Sequence, residues 1–255
     1  MYEIYALKVS ERPTDVPKVF YNMPYGEKVP TVFFFWLLKG NGRNILVDTG
    51  ISQEEMQSRN ISGPTRKELL GRINVHPEDI DTIVLSHLHG DHFAQPEIYS
   101  NAIFYVQRKE VEFWAGEVLG FAAINKPAFL NGQSSVQLEA FEKLNLDGRV
   151  RFLDGDSEIL PGLSTIFTGG HTPGHQAIKV QTANGPIVLL VDFANAYKNI
   201  DDRIPVGSYF NLVEWMSGLS RIEMMRFPEG SLVPGHDELI MTRFPQVAEN
   251  VVKIA

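Results

Sequence analysis

Four residues of types that bind metals readily fall within six positions of this sequence, as His87-x-His89-x-Asp91-His92. Imidazole nitrogen and carboxylate oxygen are ordinary donors for zinc, and the same set accommodates iron, manganese or cobalt. With seven His in 255 residues, a chance match to this spacing has a probability on the order of 3 in 10,000. Three further donors stand apart from the motif. His171 lies in Gly169-Gly170-His171-Thr172-Pro173-Gly174-His175, Asp192 closes the apolar run 187–191, and His236 follows Leu232-Val233-Pro234-Gly235. A His-rich surface turn would explain the first motif alone, but not three more donors that each end a strand-like run. Seven donors, one of them a bridging carboxylate, would fill two metal sites and leave room for water.

The elements that must position these residues are short and numerous. Residues 2–8, 44–47, 81–85, 102–106, 150–153, 163–167, 176–181, 186–191 and 231–233 read as strands. Residues 32–38 are continuously apolar, as a strand buried on both faces would be. Helical spacing covers 64–71, 107–115 and 212–226, a helix start is expected at 77–79, and 116–147 reads as helices without a strand pattern. The Pro-rich stretch 11–30 reads as a long ordered loop or flap. Strands followed by a helix occur in each half, which predicts two sheets packed face to face with helices outside, in a single domain over 1–255.

Composition narrows the chemistry. The chain has no Cys, so a thiolate nucleophile, a Cys-ligated zinc, an iron–sulfur cluster and a disulfide framework are excluded. Lys and Arg number 23 against 31 acids, a net charge of −8, which disfavours nucleic acid or an anionic membrane as partner and favours a small molecule. The N-terminal residues form no basic and apolar leader, and the apolar run 32–38 is far shorter than the ~20 residues of a membrane helix. The expectation is a soluble, cytoplasmic protein; whether it forms a homodimer is left open.

With these motifs in hand, the chain resembles the metallo-β-lactamase superfamily over nearly its whole length. The resemblance rests on His87, His89, Asp91, His92, His171, Asp192, His236 and the Leu46-Val47-Asp48-Thr49-Gly50 element. It implies an α/β fold, the αββα sandwich of two mixed sheets with helices outside, and a two-metal centre at one edge. His87, His89 and His171 would serve the first metal, Asp91, His92 and His236 the second, and Asp192 would bridge. Zinc is the first expectation for both. Asp48 is either a residue that orients a ligand His or a turn aspartate capping Thr49-Gly50. His175 reads as a flanking loop residue, and His76, before Pro77, as a surface His.

Within the superfamily the chain resembles the N-acyl homoserine lactonase-like branch, a group of quorum-quenching enzymes. Gly-His-Thr-Pro-Gly-His-Gln at 170–176, Val-Pro-Gly-His-Asp at 233–237 and a Tyr after the bridging aspartate carry that likeness. The Tyr would be Tyr197, farther from Asp192 than in similar lactonases, so catalysis and loop packing both remain open for it. Gly90 stands where similar lactonases often carry an aromatic. The implied reaction is attack on a lactone carbonyl by a metal-bridging hydroxide, with Tyr197 polarising the oxygen and Asp91 transferring the proton. Phe113, Trp114, Phe121 and Met23 are candidate substrate-binding residues, or else core residues. A glyoxalase-II-like thioester hydrolase is the main alternative, although it normally appends a helical segment with basic residues and only Arg243 and Lys253 follow His236 here. A non-catalytic metal-binding protein is the other.

Overall fold

The computed structural model of the chain describes residues 1–117 and 135–255. Its longest elements, β1 (Tyr2–Asp15) and β2 (Lys28–Gly40), form one antiparallel hairpin paired from Tyr2 opposite Gly40 to Asp15 opposite Lys28, with a one-residue register shift between Lys8 and Ser10. The stretch 11–30, expected to be a loop, is therefore strand at both ends, and only the middle connects. Pro13 lies opposite Pro30, where both strands have outrun their outer neighbours. No ladder donor is needed there, so both prolines are tolerated.

The unbroken apolar run of β2 has a simple cause. Phe33, Phe35 and Leu37 face a core shared with Met56, Leu69, Leu70, Phe141 and Leu144 on helices. Val32, Phe34, Trp36 and Leu38 face the opposite way, against Leu163, Ile178, Val180 and Leu189 of a second sheet. A strand covered on both faces has no solvent side on which to alternate.

From β2 the first sheet continues through β3 (Arg43–Val47), β4 (Thr82–Val84), β5 (Ile103–Gln107) and β6 (Val150–Leu153), the last three pairings being parallel. The second sheet contains β7 (Ser157–Leu160), β8 (Leu163–Phe167), β9 (Gln176–Thr182), β10 (Gly185–Val191) and β11 (Leu232–Pro234). Its order is β11-β10-β9-β8-β7, with β10 and β11 parallel. Two short strands, β12 (Gln246–Ala248) and β13 (Val251–Lys253), complete the first sheet beside β1 as β12-β13-β1-β2-β3-β4-β5-β6.

The helix Leu212–Met224 covers the outer face of the second sheet, burying Trp215, Leu219 and Ile222 against Ile166, Val188 and Leu190. Asn211 caps it by accepting from the backbone N–H groups of Val213 and Glu214. The layers thus run helix, sheet, sheet, helix, as an αββα sandwich. The helical expectation at 107–115 resolves into a helix over Arg108–Glu112 and a π-helical turn over Phe113–Glu117; of 116–147, the described part holds the helix Ser135–Leu146. Among the described residues no helix is long and apolar enough to cross a membrane.

Candidate metal centre

Every expected donor leaves the end of a strand. The loop after β4 carries His87, His89, Asp91 and His92; the β8–β9 turn carries His171; Asp192 follows β10 and His236 follows β11. The fold gathers them into two groups. His87, His89, His171 and Asp192 each place one donor atom within 4.8 Å of the others, and Asp91, His92 and His236 do the same. Asp192 reaches into both, with Oδ2 3.4 Å from His171 Nε2 and Oδ1 3.0 Å from His92 Nε2 and 2.8 Å from His236 Nε2.

The far side of each ring decides what the near side can do. His92 Nδ1 donates to Asp48 Oδ2 at 2.8 Å, His236 Nδ1 to the Val32 carbonyl at 2.7 Å and His171 Nδ1 to the Ser208 carbonyl at 2.5 Å. The Ser86 hydroxyl donates to Asp48 Oδ2 and so accepts from His87 Nδ1 at 2.9 Å. Each of these rings thereby keeps its proton on Nδ1 and turns the Nε2 lone pair inward, which is how proteins fix the tautomer of a ligating His. Asp48, the aspartate left open between two roles, spends its carboxylate on Ser86 and His92 rather than on Thr49 or Gly50.

These donors fit a divalent cation in each group. His89 Nδ1 lies 3.0 Å from both His87 Nε2 and His171 Nε2, about the separation expected between ligand atoms around a tetrahedral ion. Burial holds His87 and His171 below the usual imidazole range and lowers His89 to about 3, so three neutral rings converge on one point. Burial pushes His92 and His236 down as well, but the Asp192 carboxylate outweighs it and both are raised. Asp192 is held well below its ordinary value, burial being overcome by His236, His92 and His171. His92 Nε2 and Asp192 Oδ1 are buried and close, yet neither has an aligned hydrogen-bond partner among the described residues. Buried polar atoms left in that state call for a ligand.

Backbone strain accompanies the site. Val191, immediately before Asp192, has φ +50°, a costly conformation for a β-branched residue. It lets the chain turn sharply out of β10 and aim Asp192 between the two groups. Gly170, beside His171, has φ +80°, and a Cβ there would lie 2.7 Å from the Trp215 Cα, so only glycine lets the helix Leu212–Met224 approach the loop.

The candidate substrate residues divide. Phe113 and Trp114 line a cavity of about 180 Å³ with His89, His171, Thr172, Tyr209 and Phe210. The Trp114 ring stands edge-on to His89 at 5.5 Å, an aromatic contact that Gly90 does not supply. Met23 is half-buried and lines neither this cavity nor the one beside His236. Phe121 lies outside the described residues. His175 is fully buried, its Nδ1 2.7 Å from Thr168 Oγ1 and its ring 5.2 Å from that of His87, so it packs beneath the cluster; His76 is exposed.

Tyr197 sits at the start of the short helix Tyr197–Asp201, its ring buried in the inter-sheet core with the Arg243 guanidinium 3.8 Å from the ring centroid. Asn195, from the same loop, is buried and lines a cavity of about 390 Å³ together with Tyr197 and His236, and its Oδ1 has no partner among the described residues. Tyr197→Phe is accordingly expected to change the rate of hydrolysis less than about threefold; a loss near the ~100-fold of a missing oxyanion donor would put the hydroxyl back in the reaction. Glu110, likewise absent from the sequence reading, is fully buried beside the first group.

The sandwich and its paired His/Asp groups define the class, a metal-dependent hydrolase. The family model described as "Metallo-beta-lactamase superfamily" matches residues 32–236, and the chain belongs to that superfamily. An N-acyl homoserine lactonase of Bacillus cereus is 27% identical over 219 residues, covering 79% of this chain and 80% of the relative. The N-acyl homoserine lactonase AiiA of Bacillus thuringiensis subsp. kurstaki is 26% identical with the same coverage. Among solved structures, a quorum-quenching N-acyl homoserine lactone lactonase superposes with a TM-score of 0.77 at 23% identity, covering 96% of each chain. AidC, a dizinc quorum-quenching lactonase, gives a TM-score of 0.69 at 16% identity, covering 92% of this chain and 87% of its own. At those identities the structural likeness establishes the fold alone.

Proposed function

We propose that this chain hydrolyses the ring ester of a lactone, an N-acyl homoserine lactone or a close analogue, and so acts in quorum quenching. The observation that carries the reading is the pair of donor groups sharing Asp192 beside an aromatic cavity. The curated relatives, named as lactonases across about four-fifths of this chain, support the substrate class. Zinc is the first choice for both positions, and the same donors accommodate iron, manganese or cobalt.

Two divalent ions held here would supply Lewis acidity and would lower the pKa of bound water, so that no Ser or Cys nucleophile would be needed. The Ser86 hydroxyl, beside His87, is committed to Asp48 and His87. His87, His89 and His171 would hold one ion, Asp91, His92 and His236 the other, and Asp192 would span them. Asp91 is the more open carboxylate, its side chain 18% exposed against 9% for Asp192. Burial would raise it, but His92 and Arg59 outweigh that and keep it ionised. An ionised carboxylate at the mouth can take a proton from the attacking water and pass it to the leaving alkoxide.

The acyl tail is assigned to the cavity formed by Phe113, Trp114, Tyr209 and Phe210, where the rings of Phe113 and Phe210 meet at 5.0 Å. Phe113→Ala should raise KM for long-chain lactones by roughly fivefold or more, in line with ~1–3 kcal/mol for apolar contacts in a substrate pocket, and leave short-chain lactones nearly unchanged. Equal effects across a chain-length series would remove the tail from this cavity. The reading as a whole is tested by metal analysis of the purified protein followed by a pH-drop screen over lactones, thioesters and β-lactams. Acid release from lactones is expected; turnover confined to thioesters would transfer the site to a glyoxalase-II-like reaction.

A further inference from the structure

One buried carboxylate touches both loops that present the three His residues of the first donor group. Glu110 is fully buried in the helix Arg108–Glu112, directly after β5. Its Oε1 accepts from the backbone N–H of Leu88 at 3.0 Å and from Trp114 Nε1 at 2.7 Å, while Oε2 accepts from Thr172 Oγ1 at 2.7 Å and the backbone N–H of Gly174 at 2.9 Å. Leu88 separates His87 from His89, Thr172 follows His171, and the Trp114 ring packs edge-on to His89. Two loops far apart in sequence, and the aromatic wall of the adjacent cavity, are therefore tied to a single side chain.

The contacts of the 171–175 loop are built around this carboxylate. A Cβ on Gly174 would lie 2.3 Å from the Glu110 backbone nitrogen and 2.5 Å from its Cα, so the loop can close on the helix only with glycine at that position. All four donors point inward, and a carboxylate offers about four acceptor sites and no donor. No other side chain of that size satisfies them, since an amide in its place would set an N–H group against two of the donors.

We propose that Glu110 is the positioning residue of the first metal site: it fixes the spacing between His87 and His89 on one loop and His171 on the other. The assignment rests on the two-metal reading above. Glu110 makes no contact with His92 or His236, whose far nitrogens are held by Asp48 and Val32, so its influence is confined to one of the two groups. Partners that orient metal ligands typically govern affinity by about 10- to 100-fold, and that is the effect expected here.

The test is metal retention by the purified protein under zinc-chelator competition, read as equivalents of metal per chain, with the visible spectrum of cobalt-substituted protein as a second readout. Wild type should retain two equivalents at a chelator concentration where Glu110→Gln retains one, with an altered cobalt spectrum. Thr172→Ala, which removes one of the four donors and keeps the carboxylate, should shift retention the same way by a few-fold, and it carries the test if Glu110→Gln fails to fold. Leu70→Ala, a cavity in the hydrophobic core on the helix Arg66–Gly71, controls for general loss of stability and should retain both. Two equivalents retained with wild-type affinity in Glu110→Gln and Thr172→Ala would overturn the positioning role, as would equal loss in Leu70→Ala. Wild type that binds no metal would overturn the two-metal reading itself, a result distinguishable from either.

Discussion

His171→Ala is expected to abolish lactone hydrolysis, by about 10³-fold or more, while far-ultraviolet circular dichroism stays that of the wild type. That factor corresponds to ~4 kcal/mol of transition-state stabilisation, the scale of removing the Lewis acidity supplied at one position. His171 contributes one of three inward nitrogens of the first group and also reaches Asp192, so its loss weakens both the binding position and its link to the other. The fold should survive, because Trp215 still packs under the loop at Gly170 and Glu110 still holds Thr172 and Gly174. Asp91→Asn tests the other group by a different route: the amide keeps the shape but cannot accept the proton, so the rate should fall by a similar order. Full activity in metal-replete His171→Ala protein would sink the two-metal account, whatever Asp91→Asn did.

Why these donors could be read from the sequence, and others could not, has a physical explanation. His87, His89, Asp91 and His92 are close in sequence because one loop presents them, and His171, Asp192 and His236 each terminate a strand whose apolar residues are conspicuous. Strand β2 announced its two covered faces by having no polar alternation. Glu110 carried no such mark: it is one of 31 acids, and its partners at Thr172 and Gly174 lie 62 and 64 positions away. Asn195 was eclipsed by its neighbour Tyr197, a residue type that suggests catalysis and that lines the same cavity beside His236 while stacking under Arg243. The Pro-rich 11–30 stretch looked like a loop because local propensity cannot register that Pro13 and Pro30 meet where no ladder bond is required. Strands β7, β12 and β13 are short and lie at or near sheet edges, where a solvent-facing side leaves little apolar pattern to detect.

Exhaustive chelation should cost the protein both its activity and much of its thermal stability. Without cations, His89 Nδ1 lies 3.0 Å from both His87 Nε2 and His171 Nε2 with one proton to serve the two contacts, and Asp192 Oδ1 and His92 Nε2 remain buried without aligned partners among the described residues. Each of those arrangements is unfavourable unless a cation occupies the space between the donors. A ligand that binds only the folded state stabilises it by about 4 kcal/mol when present at ~1,000 times its dissociation constant. For a chain of this size ~1 kcal/mol moves Tm by ~2–4 °C, so loss of even one such ion should lower Tm by roughly 10 °C. Adding back zinc, manganese, iron or cobalt should restore Tm and turnover together. A metal-dependent Tm with no turnover of any lactone, ester or thioester would instead favour a non-catalytic metal-binding protein. If metal analysis verified complete removal and neither Tm nor rate had moved, the inward-facing donors would need a different explanation altogether.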